Sequence, residues 1–327
     1  MNRYHLTHVT EFHYDAPVSE SYNEVCMRPM HDDGQSCLSF RLKTSPRTRN
    51  TAYRDAFGNW VHQFNVLSEH RHLTVEAESV VLAHESPPCP DDSMSLADLD
   101  EQREELLEEH YDFVAPTDYV PHSLPAVSVL TELAEREGGS TVAGFAQAAS
   151  ALIHKQFKYV KGATHVNSSI EDVLKSRAGV CQDFAHLLLG VLRRRGLPAR
   201  YVSGYIVPRR SADGDANLEE VIGGQASHAW AEVWLPASGW FGLDPTLGAP
   251  VGLRHVRIAY GRDYGDVAPV RGVYKGQAGQ RLSVDVRVRP ALDDDGHEQL
   301  QEAVSRPEEE PVSELTQQPG QQQQQQQ

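Results

Sequence analysis

Gly179-Val180-Cys181-Gln182-Asp183-Phe184-Ala185-His186 is the stretch from which the fold is read. Downstream of it, Phe184, Leu187, Leu188, Val191 and Leu192 recur at i, i+3, i+4, i+7 and i+8, the apolar face of an amphipathic α-helix. Gly196 and Pro198 close that helix. Cys181 therefore falls in its first turn, where the positive end of the helix dipole favours thiolate over thiol. Gly179 lets the backbone turn tightly into the helix and leaves the first-turn N–H groups unpaired. The Cys181 N–H is the one best placed to receive an oxyanion. A lone cysteine in an apolar helix is usually a small buried hydrophobe, so the chemical reading depends on what else the chain supplies. Asp183 is accounted for by capping and the dipole, and His186 points off the Cys181 face as a structural or partner contact.

A thiolate nucleophile needs a base that returns a proton to the leaving group, and that base needs an orienting carboxylate. Ser227-His228-Ala229-Trp230-Ala231-Glu232-Val233-Trp234-Leu235 reads as a strand with His228, Trp230, Glu232 and Trp234 on one face. The small Ala229 and Ala231 on the other face admit a closely packed helix. Pro236-Ala237-Ser238-Gly239 turns the chain, and Trp240-Phe241-Gly242-Leu243-Asp244-Pro245-Thr246 runs back. Asp244 then lies opposite His228 or a rung or two along, a diagonal of roughly 7 Å. The sequence leaves that register open. Trp230, Trp234 and Trp240 either line a cleft or fill the hairpin face. Glu232 is a candidate neighbour of His228.

Outward from this centre the chain divides into four. Residues 1–84 alternate apolar and polar positions between turn clusters and read as an antiparallel β domain, with Tyr53–Val66 a hairpin around Phe57-Gly58-Asn59. Residues 85–129 form an acidic, Pro-containing connector with a short helix expected over Leu96–His110. Residues 130–290 carry the helical cluster and the His228 hairpin. Thr141 is a candidate N-cap for one helix, and Ser168 with Glu171 a capping box for the next. Ala199–Val207 and Arg281–Arg289 complete the strands. Residues 291–327 are acidic, end in seven glutamines, and read as disordered.

These three motifs, Gly179-Val180-Cys181-Gln182-Asp183, Ser227-His228-Ala229-Trp230-Ala231-Glu232 and Asp244-Pro245-Thr246, resemble in type and order the transglutaminase-like superfamily of papain-type thiol enzymes. Gly196-Leu197-Pro198-Ala199-Arg200-Tyr201-Val202-Ser203-Gly204-Tyr205 looks like the bacterial branch, and Tyr53-Arg54-Asp55-Ala56-Phe57-Gly58-Asn59 is similar to its β-rich N-terminal region. The likeness covers about residues 1–265, more weakly at 85–130. It implies an α+β fold in which a papain/transglutaminase-like core, a helix cluster on an antiparallel sheet, follows an antiparallel β domain. It implies Cys181 as nucleophile, His228 as general base and acid, and Asp244 as the orienting carboxylate. An aromatic residue upstream of the cysteine assists the oxyanion in relatives, and Tyr159 is the candidate. Trp230 and Glu232 are candidate cleft-lining residues. The implied activity is acyl transfer from amide, peptide or isopeptide bonds through a thioester, with hydrolysis ahead of transamidation. A binding module that keeps the fold without turnover is the reading from another class.

Charge and composition set bounds on this. The chain has 327 residues and a formal charge of −16. Residues 85–110 contribute −9 and 291–327 contribute −8, so the rest sums to +1. No basic stripe with interleaved aromatics is present, which argues against nucleic acid. No 18-residue apolar window and no apolar segment after Met1-Asn2-Arg3-Tyr4-His5 occur, so neither a membrane span nor a signal peptide is expected and the chain reads as cytoplasmic. Cys26, Cys37, Cys89 and Cys181 do not form a disulfide framework. Asp213-Gly214-Asp215-Ala216-Asn217 begins like a calcium loop, but Leu218 and Gly224 occupy positions that need Gly and Glu. Neither metal nor cofactor is expected, and the partner expected is a peptide, protein or small-amide substrate.

Overall fold

The structure is a computed structural model that describes residues 2–84, 94–121, 124–164, 168–207, 227–236 and 238–291, together with the backbone of 321–324. The Asp213 loop, Cys89 and most of the tail lie outside these residues. β1 (Asn2–Val25), β2 (Gln35–Ser45), β3 (Asn50–Arg54), β4 (Trp60–Val66) and β5 (His70–Ala83) form the expected antiparallel β region. β1 is long enough to pair with two of these strands in turn: with β5 from Asn2↔Ala83 to His13↔His72, then with β4 from Ser21↔Val66 to Val25↔His62. The β3–β4 hairpin closes as read, with Asp55 Oδ1 accepting from Phe57 N (2.9 Å) and Asn59 N (2.8 Å) while Gly58 takes φ 83°.

The acidic helix divides in two, α1 (Leu96–Glu101) and α2 (Arg103–Glu109), at Gln102. Like charges at i, i+4 across that point, Asp100/Glu104 and Glu101/Glu105, disfavour one continuous helix. Leu99 and Leu106 nevertheless seat both pieces on the main core, and Arg195 ties Asp100 to it at 2.6 Å. α3 (Pro125–Gly138) starts on a proline within the segment read as connector, a position where a missing N–H costs nothing. α4 (Val142–Gln156) is capped by Thr141 as expected, its side chain accepting from Gly144 N at 3.1 Å.

β6 (Lys158–Tyr159) precedes α5 (Ile170–Ser176), whose capping box is Ser169 with Asp172, one residue later than Ser168 with Glu171. The later cap makes Ile170 the first helical residue and buries it with Val173. β7 (Ala178–Gly179) pairs in parallel with β6 and leads into α6 (Cys181–Arg194). β8 (Ala199–Ile206), β9 (His228–Leu235), β10 (Gly239–Asp244), β11 (Ala249–Pro250) and β12 (His255–Gly261) form a five-stranded sheet in the order β11-β10-β9-β8-β12. Ala229, Ala231, Val233 and Leu235 are fully buried in the same core as Leu187, Leu188 and Val191 of α6, so the small-residue face takes the helix.

After α7 (Tyr264–Val267), β13 (Val270–Lys275) and β14 (Gln280–Pro290) return to β1, with Tyr22↔Val273 and Tyr4↔Pro290. The Arg281–Arg289 strand thus joins the N-terminal sheet and not the sheet of His228, because β1 still has an unpaired edge opposite β5. β15 (Gln321–Gln324) lies antiparallel on β13 from Arg271↔Gln324 to Tyr274↔Gln321. Pairing at an open sheet edge satisfies main-chain groups without apolar burial, a route to order that a disorder reading based on composition omits. No helix of the described residues is long and apolar enough to cross a membrane.

Candidate active site

Cys181 opens α6 in the position read from the sequence and is 2% exposed. The turn before it is held by Asp183, whose Oδ2 accepts from Val180 N at 2.8 Å and from the Thr164 hydroxyl. A Cβ on Gly179 would strike that carboxylate 2.7 Å away, so only glycine allows the close turn. Gly179 pairs with Tyr159 across the β6–β7 ladder, and Val160 N donates to Gly179 O at 3.0 Å. Tyr159 is thereby set beside Cys181. Burial, then the charges of Cys181 and Asp183, push its phenol pKa far up, so it stays an O–H donor.

His228 is the first residue of β9 and wholly buried. Its Nε2 donates to Asp244 Oδ2 at 2.7 Å. The other ring nitrogen, Nδ1, is buried without an aligned partner among the described residues. The Cys181 sulfur is near enough to this ring to raise its pKa, and with Nε2 committed to Asp244, Nδ1 is the atom left to face it. Leu243 pairs with Ala231, which carries Asp244 level with Trp230, on the diagonal from His228. Burial alone would lower the His228 pKa, yet the Asp244 charge and hydrogen bond, then Cys181, lift it to about 10. Burial likewise works against the Asp244 carboxylate, and His228 and His255 hold its pKa well below the usual carboxylate range. His228 is therefore an imidazolium across neutral pH.

Asp244 is saturated. Its Oδ1 accepts from Thr246 N (2.9 Å) and Leu247 N (3.2 Å), and its Oδ2 from His228 and from His255 Nε2 at 3.1 Å. Sequence reasoning missed His255, which sits in an alternating strand with no spacing that ties it to Asp244. His228, Asp244 and His255 offer ligand atoms within 4.8 Å of one another, the pattern of a metal triad. They do not fit one: Gly252 N donates to His255 Nδ1 at 3.2 Å, which leaves the proton on Nε2, the atom a metal would need bare.

Two cleft-lining expectations are corrected. Trp230 is fully buried, 5.2 Å edge-on to His255 and 6.0 Å from His228, and its ring crosses Gly204, where a Cβ would collide with it. It therefore packs behind the two imidazoles. Glu232 is 2% exposed and locked to Arg200 (2.6 Å) and Arg257 (3.1 Å), because buried guanidinium groups demand a counter-charge. Trp234 and Trp240 bind the connector, at 4.5 Å from His110 and 5.1 Å from Phe113. His186 is structural, its Nε2 accepting from Tyr264 N at 3.1 Å while Tyr119 stacks on it.

Glu232→Gln is expected to destabilise the protein by about 3–5 kcal/mol, the cost of breaking a buried ion pair on one side. Burial opposes the Glu232 charge, but Arg200 and Arg257 hold its pKa below the ordinary value. Their contribution is complete above pH 4.5, the unperturbed value, and is lost as pH falls through the lowered one. Urea denaturation at neutral pH and well below pH 4.5 measures it: the gap between wild type and variant narrows at the lower pH.

A thiol at a helix N-terminus facing a sheet-borne His–Asp pair defines the papain-type class of folds. Residues 128–245 match the transglutaminase-like superfamily, and residues 4–82 match the bacterial transglutaminase-like N-terminal region. An uncharacterized protein of Mycobacterium leprae is 35% identical over 290 residues, covering 88% of this chain and 99% of its own. An uncharacterized protein of Mycobacterium tuberculosis is 33% identical over 315 residues, covering 88% and 93%. A solved structure from Cytophaga hutchinsonii, described as that of a provisional cysteine protease, has a TM-score of 0.65 at 21% identity and covers 92% of this chain and 94% of its own. The chain belongs to the transglutaminase-like superfamily.

Proposed function

We propose that the protein is a thiol acyl-transfer enzyme that opens amide, peptide or isopeptide bonds, with water as its principal acyl acceptor. The observation that carries this is His228, with Nε2 bonded to Asp244 and Nδ1 left for Cys181. The Cys181 thiolate attacks the carbonyl carbon, and the oxyanion collects the Cys181 N–H and the Tyr159 hydroxyl. As the C–N bond breaks, the proton on His228 Nδ1 passes to the leaving amine, which leaves a thioester. His228 then takes a proton from water, whose oxygen attacks the thioester, and the C–S bond breaks to release the acid and the thiolate. Water leads as acceptor because a thioester hydrolyses unless an amine is held to outcompete it.

Transfer to an amine is the second reading. A Pseudomonas aeruginosa protein named protein-glutamine gamma-glutamyltransferase is 34% identical over 95 residues, 28% of this chain and 14% of its own, which favours keeping it. Release of amine from a panel of peptide amides, with and without an added primary amine, separates the two. Free acid as the main product supports hydrolysis, a new amide as the main product supports transfer, and no amide turnover by wild type contradicts both.

A further inference from the structure

β12 is the outer strand of the five-stranded sheet, bonded inward to β8 from His255↔Ile206 to Gly261↔Tyr201. An outer strand exposes a row of main-chain groups on its free edge. Here the N-terminal β region occupies that edge with two buried carboxamides. Gln35 donates through Nε2 to Arg257 O at 2.8 Å and accepts through Oε1 from Arg257 N at 2.8 Å. Asn59 repeats the pattern at Tyr260, donating to its carbonyl at 2.8 Å and accepting from its N–H at 3.0 Å. Met30 N adds a bond to Arg257 O at 3.2 Å, and the Arg257 guanidinium spans from Glu232 (3.1 Å) to Asp32 (2.9 Å). Both amides imitate a neighbouring strand, and both act on the strand whose first residue, His255, reaches Asp244.

We propose that His255 is a positioning residue for the Cys181–His228–Asp244 set, and that the N-terminal β region serves the site by clamping the strand that carries it. This rests on the acyl-transfer reading of that set. Thr246 N and Leu247 N anchor Asp244 Oδ1, and Oδ2 accepts from two imidazole N–H groups, so His255 helps to set where Oδ2 lies on His228. The tautomer of His255 is fixed from outside by the Gly252 N–H, and the Trp230 ring packs edge-on against it. Without the second donor Oδ2 is held by His228 alone while Oδ1 keeps its two backbone anchors, so the placement of Oδ2 on the imidazolium loosens and the thiolate loses part of its counter-charge.

The groups facing the Cys181–His228 pair from the described residues are Asp244 on β10, His255 on β12, Tyr159 on β6 and Asp183 on α6 itself. Tyr159 keeps its proton, and Asp183 is tied to Val180 N and Thr164, so neither follows a change at His255. The thiolate content of Cys181 therefore reports the Asp244 orientation.

The test is the pH dependence of iodoacetamide labelling of the Cys181 peptide, read by mass spectrometry in the full chain. His255→Phe removes the donor and is expected to raise the labelling midpoint by about one pH unit or more toward the ordinary thiol value. His255→Gln keeps an N–H at the end of the side chain and is expected to restore most of the shift. Gln35→Ala, which frees Arg257, is expected to move the midpoint in the same direction by less, and carries the test if His255→Phe does not fold. A His255→Phe midpoint equal to wild type, a shift that Gln does not restore, or, where Phe fails to fold, an unchanged Gln35→Ala midpoint overturns the proposal. An ordinary thiol midpoint in wild type itself overturns instead the acyl-transfer reading beneath it.

Discussion

Cys181→Ala is expected to abolish amide turnover, a fall on the order of 10⁶-fold where removal of a nucleophile stops the covalent path. Among the described residues Cys181 is the cysteine that acts on His228, and Cys26 and Cys37 do not replace it: burial pushes the Cys26 thiol up to about 12, and burial raises that of Cys37 as well. The loss is expected in the rate and not in the fold, since one small side chain is trimmed at a helix N-terminus whose Val180–Asp183 cap remains. Cys181→Ser is expected to recover little, because a hydroxyl does not ionise beside an imidazolium as a thiol does. Amine release from a peptide amide, with the thermal melt as a fold control, measures both. Turnover within tenfold of wild type in Cys181→Ala would remove the thiol from the mechanism.

Asp244→Asn is expected to lower kcat/KM on the order of 10³- to 10⁴-fold. Oδ1 faces two backbone N–H groups and Oδ2 faces two imidazole N–H groups, so all four neighbours are donors. A carboxamide points its NH₂ at two donors whichever way it turns. The resulting loss of stability is about 1–3 kcal/mol, the cost of buried polar groups left unpaired. The charge is lost too, and with it the largest influence that raises His228 against burial. The sign follows. His228 has its pKa lifted from 6.5 to about 10, so its pairing with Asp244 stabilises the fold fully below 6.5 and fades as pH rises through about 10. Urea midpoints are therefore expected to decline from pH 7 to pH 10 in wild type and to stay flatter in Asp244→Asn.

Much of this site was legible because each of its three principal members sits in a local pattern with its own physics. The dipole and the glycine turn mark Cys181, strand alternation puts His228 and Ala229 on opposite faces, and the Pro236–Gly239 turn brings Asp244 back beside them. The Ser169 cap was displaced by one residue because Ser168 and Ser169 adjoin, and the choice is decided by which frame buries Ile170. Glu232 was legible as a neighbour in strand phase but not in role, since its guanidinium partners come from β8 and β12. The Arg281–Arg289 run announces a strand, but periodicity does not say which edge it joins. His255 and its clamp were the least legible. Gln35 meets Arg257 and Asn59 meets Tyr260 across some two hundred residues of chain, and a side-chain amide bonded to a distant backbone imposes no spacing on either segment.

If Cys181 and His228 share a proton as an ion pair, the rate of Cys181 alkylation by iodoacetamide against pH, in wild type and in His228→Ala, reads that proton. The labelling is expected to persist well below pH 7 in wild type and to move to an ordinary thiol midpoint of about 8.5 when His228 is removed. A midpoint of about 8.5 in both proteins would contradict the ion pair.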